Sequence, residues 1–182
     1  MGSVVCGTKR SEHRTSATDK PANMSIADSG SAPALSGDEK AAVRDTWKVV
    51  YAHAEDHGTT VLIKFLTDNA DAKKFFPKFQ ALKTADEMKS SPVLRDHAKR
   101  IMNSINDMVV ALDDTNAQNA QMNGLSKKHA TDFKVDPKYF KVISNVILSV
   151  IAEGLGAQFN DAAKNGWSKL LTTTCIGLKS AF

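Results

Sequence analysis

Residues Phe75–Ile101 read FFPKFQALKTADEMKSSPVLRDHAKRI, and their reading decides the fold. The stretch opens on an aromatic corner, with Phe75, Phe76 and Phe79 set tightly around Pro77. Ser91 and Pro92 then have the chemistry of an N-cap and a first helical residue. From there Leu94, His97, Ala98, Ile101, Ile105, Met108 and Leu112 recur at spacings of three and four. That is the period of one helix face, so His97 points inward with its apolar neighbours. Taken alone, His97 reads as a core histidine with a hydrogen-bond partner.

Upstream, Ser36 and Glu39 form a capping box, and Val43, Trp47, Val50 and Tyr51 make the apolar face of the helix it opens. His53 and His57 follow at its end and read as surface residues, because no third metal ligand lies near them. A second helix is expected from Gly58, with Val61, Leu62, Phe65 and Leu66 inward. The glycine leaves room for another helix to cross closely. Asp68 to Lys74 reads as a short helix, and Thr84 with Glu87 as a second capping box. The long helix of His97 runs to about Leu112. Downstream, Asp113 to Asn119 is polar and loop-like, and a shorter helix follows with Met122, Leu125 and His129 on one face. Asp136 and Pro137 open a wide apolar stripe of Tyr139, Phe140, Ile143, Val146, Ile147, Val150 and Ile151, which Gly154 is expected to end. Asn160 or Asp161 caps a last helix with Trp167, Leu170, Leu171, Cys175, Leu178 and Phe182 inward. No strand pattern or internal repeat is present. The chain is expected to be all-α, with seven to eight helices in a domain over 35–182.

Residues 1–34 read as a disordered extension, poor in large apolar residues. Its start, MGSVVC, resembles an N-myristoylation signal on Gly2, with Cys6 as a palmitoylation candidate and Lys9, Arg10 and Arg14 as basic support. The 182-residue length suits one domain. The net charge of +4 is spread along helical faces among acids, which excludes a nucleic-acid-binding role. The two cysteines are far apart and suit a reducing compartment. No run approaches a membrane span, and the N-terminus lacks the apolar core of a secretory signal. A cytoplasmic protein is expected, attached to the inner face of a membrane if the N-terminus is lipidated.

His97 and His129 are the only histidines on strongly apolar helical faces. If their helices face one another, the two rings bracket a slot lined by Leu62, Phe76, Ile101, Leu125, Val135, Phe140 and Ile143. Zinc wants three or four protein ligands, and these faces offer no others. HExxH, CxxC, a phosphate loop and a serine elbow are all missing. A haem fits better, since it brings four nitrogens and asks for one or two axial imidazoles in an apolar slot.

Along LSGDEKAAVRDTW, VLIKFL, the stretch quoted above and LSKKHATDFKVDPKYFKVISNVI, the chain resembles the globin family, from Leu35 to Phe182. It is similar to myoglobin-type chains and to intracellular invertebrate globins, molluscan ones among them. The resemblance implies a globin fold packed around haem b (iron protoporphyrin IX). It makes His129 the proximal iron ligand, its second nitrogen donating near Leu125. It makes His97 the distal residue, neutral and able to donate to bound dioxygen. Phe76 matches the corner phenylalanine on the haem, supported by Phe79. Leu62 and Ile101 match positions over the iron, and Val135, Phe140 and Ile143 match the haem edge and proximal face. Gly58 matches the crossing glycine, with Ala98 opposite. Arg100 departs from the usual small or neutral residue, and reads either as a propionate or ligand partner or as a solvated arginine. Lys128 and Phe133 replace polar partners, leaving Lys78 as a propionate candidate.

The implied function is reversible binding of dioxygen for storage or transport, with CO and NO as further ligands, in a monomer or homodimer. The implied protein is not an enzyme, although nitric oxide dioxygenation, nitrite reduction and peroxidase-like turnover are secondary activities open to it. The alternative is a membrane-tethered globin in which His97 itself binds the iron, acting in redox or nitric oxide chemistry or signalling.

Overall fold

The computed structural model describes residues 25, 26, 30 and 33–182. Gly2 and Cys6, and with them the lipidation reading, lie outside the described residues, as does most of the N-terminal extension. The described part is all-α, with no strand among the described residues. Its helices are α1 (Gly37–Tyr51), α2 (Ala54–Asp68), α3 (Ala85–Ser90), α4 (Pro92–Val110), α5 (Thr115–Thr131), α6 (Lys138–Leu155) and α7 (Asp161–Leu178). Three 3-10 turns, Ala70–Phe75, Pro77–Phe79 and Gly156–Gln158, join them.

Capping chemistry sets most of the boundaries. Ser36 and Thr84 each accept the backbone N–H of a glutamate, Glu39 and Glu87, whose carboxylate accepts the cap N–H in return. Ser91 accepts from Leu94 N–H with Pro92 in the first turn of α4. Asn160 caps α7 by accepting from Ala163 N–H.

Four expected boundaries move. Helix α2 begins at Ala54, not at Gly58, because one turn of polar residues precedes its apolar face. Asp68 to Lys74 becomes a 3-10 turn one or two residues later. The polar window from Asp113 is mostly helix: Asp114 accepts from Ala117 N–H at 3.0 Å and starts α5 at Thr115. At the end of α6, Gly156 is the terminating glycine, with φ of +51°. Gly154 is the penultimate residue of the helix, where a Cβ would meet the His57 ring at 2.9 Å. His57 is accordingly half-buried, and His53 is exposed.

Two close approaches hold the bundle. A Cβ on Gly58 would lie 2.8 Å from the Ala98 carbonyl oxygen, so α2 and α4 cross backbone to backbone there. Helices α1 and α7 pack at Trp47 and Trp167, whose rings lie 5.4 Å apart. The Trp167 indole N–H donates to Thr46 Oγ1 at 2.9 Å, so burial leaves no orphan donor there. The neighbouring close approach, Gly166 against the Glu39 carbonyl oxygen, would put a Cβ at 2.8 Å.

Helix α6 runs through the centre and packs on α1, α2 and α7. With the turn that follows it, Lys138–Gln158 is long and apolar enough to cross a membrane by length and composition alone, a test that a core helix packed on three others also passes. This corrects the expectation that no run approaches that length. Lys141, Ser144 and Asn145 interrupt the apolar run without lowering its average enough. Phe182 also departs from expectation: it is 50% exposed rather than inward.

Within the N-terminal extension, Ile26 is 2% exposed and belongs to the main core. Its N–H donates to Asn145 Oδ1 on α6 at 2.8 Å. Ile26→Ala is therefore expected to cost about 2–5 kcal/mol of stability, the range for a truncated core isoleucine. Denaturant melts check this. A change within about 0.5 kcal/mol, as at a surface site, would show that Ile26 packs on nothing.

Candidate functional site

A cleft of about 890 Å³ opens between α4, α5 and α6 and the aromatic corner. Its wall is mostly apolar. Of the residues singled out in the sequence, Phe76, Lys78, Phe79, His97, Arg100, Ile101, Leu125, His129, Val135, Phe140 and Ile143 all line it. Leu62 does not. It is 0% exposed in the core, and Phe65, one turn on, reaches the cleft instead. Both lie on the inward face of α2, and the crossing with α4 selects between them. Phe75, Met122, Phe133, Tyr139 and Leu178 also line the cleft, without having been picked from the sequence as site residues. Tyr139 could have been found: it heads the apolar stripe of α6. It is buried, and its hydroxyl donates to the Asp71 carboxylate in the turn before the aromatic corner. That bond holds the Asp71 carboxyl below its usual range and raises the Tyr139 phenol.

The register of α4 brings His97 to the cleft. Its ring meets Phe76 edge-on at 5.4 Å and Phe79 at 5.7 Å. Those two phenyl rings stack on one another at 5.3 Å. Burial pushes the His97 pKa below the ordinary histidine value, and the neighbouring Arg100 guanidinium adds to this, against Asp96. His97 is thus held neutral at pH 7, with one ring nitrogen a donor.

His129 lies in the last turn of α5. Its Nδ1 is 2.7 Å from the Leu125 carbonyl oxygen. A carbonyl only accepts, so Nδ1 carries the proton and Nε2 keeps its lone pair. The rings of Phe133 and Phe140 meet His129 edge-on, at 5.6 Å and 5.5 Å. The ring is therefore oriented by one hydrogen bond and two aromatic contacts, and its unprotonated nitrogen is free to bind a metal. No group of three or more His, Cys, Asp or Glu side chains able to hold a bare metal ion occurs among the described residues.

Arg100 and Lys78 are exposed, charged members of the lining. Arg100 pairs with the Asp96 carboxylate one turn earlier on α4. Lys128 is exposed and off the cleft, whereas Phe133 is on it yet 55% exposed.

The globin family model matches residues 59–178. The chain is 47% identical to Globin-1 of Petromyzon marinus over 159 residues, which is 87% of this chain and 100% of that one. It is 43% identical to Globin-2 of Mordacia mordax over the same shares. Cytoglobin-2 of Danio rerio is 41% identical over 144 residues, 79% of this chain and 80% of that one.

The chain belongs to the globin family.

A globin binds diatomic gases on a haem, and the residues of this globin fit that group. The cleft is large and apolar, an imidazole nitrogen with a free lone pair opens into a wall otherwise poor in ligands, and two cations sit among the lining residues where carboxylates of a ligand would need partners.

The neutral state of His97 has a consequence for the haem-free protein. Its folded pKa lies below the ordinary 6.5, so the unfolded chain binds more protons between the two values. Stability is full above about pH 6.5 and falls as pH drops towards the folded pKa. His57, also lowered by burial, acts in the same direction. His97→Leu is expected to flatten the loss of apo-protein stability between pH 7 and 5 without abolishing it. Denaturant melts across that range check it, and an unchanged slope would show that His97 titrates normally.

Proposed function

We propose that this globin binds dioxygen reversibly, for storage or transport, on haem b held by His129 as axial ligand. The observation that carries this is the His129 Nδ1 contact with the Leu125 carbonyl at 2.7 Å, which leaves Nε2 as a ligand within an apolar cleft. Haem b supplies a gas-binding iron with four nitrogen ligands of its own. His129 supplies the fifth nitrogen. Neutral His97 presents an N–H to a ligand in the cleft. In such surroundings, away from bulk water, that bond counts for more than it would in solvent. Phe76, Val135, Phe140 and Ile143 would exclude water around a bound macrocycle, and Lys78 and Arg100, on the cleft lining, would be the partners for its propionates. CO and NO are further ligands of the same site, and turnover of nitric oxide, nitrite or peroxide is a secondary activity that needs an outside electron donor.

A second reading has His97 itself on the iron, in a protein attached to the inner face of a membrane through Gly2 and Cys6 and acting in redox or signalling chemistry. It is favoured by one observation: both imidazoles, His97 on α4 and His129 on α5, line one cleft. The visible spectrum of the dithionite-reduced protein under argon separates the readings. One broad band indicates a five-coordinate iron and supports storage; two sharp split bands indicate that His97 is bound.

Two substitutions test the assignments. His129→Ala is expected to abolish stable haem uptake in a haemin titration of the apo-protein, and full occupancy in that variant would sink the ligand assignment. His97→Leu is expected to speed dioxygen loss by about ten-fold, the worth of one hydrogen bond in an apolar site. An unchanged stopped-flow rate would pass the donor role to Arg100.

A further inference from the structure

Helix α5 carries His129, yet it has little apolar surface of its own. Its buried residues are Gln118, Met122 and Ser126, two of them polar. Its principal packing partner is α7, and the cleft occupies its other side. What fastens α5 to α7 therefore has an unusual share in placing His129.

The fastening is specific. Ser126 is 0% exposed and lies one turn before His129. Its hydroxyl donates to the Leu178 carbonyl, the last of α7, at 2.8 Å, and accepts the Ala181 N–H at 2.9 Å. One side chain thus satisfies an orphan carbonyl of the helix end and an amide of the C-terminal segment beyond it. One turn before Ser126, Met122 packs on Gly177, where a Cβ would meet the Met122 Cβ at 2.7 Å. Beyond Ser126, the Phe182 ring meets Phe140 edge-on at 5.5 Å, and Phe140 in turn meets His129 at 5.5 Å. The C-terminal residues therefore reach the proximal histidine by two routes, one through the backbone of α5 and one through a chain of edge-on rings.

We propose that Ser126 is a positioning residue: it latches the C-terminal segment 178–182 to α5 and so sets where His129 stands in the cleft. Ser126 touches neither ligand nor His129 side chain and acts only through the helix. Removing its hydroxyl takes from the Leu178 carbonyl and the Ala181 N–H the partner that joins them to α5, at two part-buried hydrogen bonds. The C-terminal segment then detaches, Phe182 leaves Phe140, and α5 gains freedom to slide along α7. This rests on His129 being the axial ligand, as proposed above.

The test uses Ser126→Ala, Phe182→Ala and a chain ending at Lys179, each beside the wild-type protein. The first readout is hydrogen exchange of the α5 backbone amides in the haem-free protein. Ser126→Ala and the shortened chain are expected to lose about ten-fold protection in α5, with α1 and α2 unchanged. The second is the iron–histidine stretching band of the reduced, ligand-free protein under argon (taken in a His97→Leu background if His97 occupies the iron). It is expected to shift in all three variants, and combining Ser126→Ala with the shortened chain is expected to add nothing further. Unchanged exchange in α5, or a loss spread evenly over all helices, overturns the latch. A looser α5 with an unmoved iron–histidine band overturns the positioning role. Phe182→Ala, at a half-exposed site, keeps the test open if Ser126→Ala does not fold. Failure of the wild-type protein to take up haem overturns the axial-ligand reading before any variant is compared, whereas the exchange data judge the latch by themselves.

Discussion

An apolar cleft lies between the two parts of the core, and the rest of the structure is arranged around keeping it open and furnished. The larger cluster gathers α1, α6 and α7 around Trp167 and Ile151; the smaller gathers Leu62, Phe65, Leu66, Phe79 and Leu94. Ile101 and Ile143 pack against both and line the cleft between them. A cavity of this size forfeits dispersion contacts that a closed core would have made. A flat, largely apolar group that binds the folded chain and not the unfolded one restores them and stabilises the fold by mass action. On the proposed reading the fold and its ligand are one thermodynamic unit, and the imidazole of His129 converts an apolar slot into a selective one.

Three local devices hold the slot in shape. The backbone-to-backbone crossing at Gly58 and Ala98 presses α4 against α2 and gives His97 its height in the cleft. Tyr139, bonded to Asp71, pins the start of α6 beneath the aromatic corner, with the Phe65 and Phe75 rings edge-on to it at 5.9 Å and 5.7 Å. On the opposite side, polar chemistry substitutes for apolar packing: Gln118 donates to the Met108 carbonyl at 3.0 Å, and Ser126 joins α5 to the end of α7. The His97 side of the cleft is thus built by close packing and the His129 side by hydrogen bonds. Helix α5 is for that reason the element whose position a small change is best able to alter.

Much of this was legible in the residues, and the parts that were not have identifiable causes. Helical period placed His97 inward, and capping boxes at Ser36 and Thr84 located two helix starts, because those signals are local and chemically specific. The period could not choose between Leu62 and Phe65, since both share a face and the choice is made by the angle at which another helix crosses. Asp113 to Asn119 read as loop because its helix buries mainly polar groups and so lacks an apolar stripe; the cap at Asp114 was the available clue. Gly154 was read as the terminator in place of Gly156, two residues on, because only the backbone conformation distinguishes two such glycines. Ile26 and Ser126 were overlooked for the same reason. Each has its partners far along the chain, at Asn145 and at Leu178 and Ala181, where no pattern in the neighbouring sequence points to them.

The proposed function depends on His129, oriented by the Leu125 carbonyl, holding the haem iron. Proton NMR of the cyanide-bound ferric protein, with histidine rings isotopically labelled, reads this out. Large hyperfine shifts are expected on the ring protons of His129, including an exchangeable proton on Nδ1. Such shifts on His53 or His57, or on no histidine at all, would contradict it.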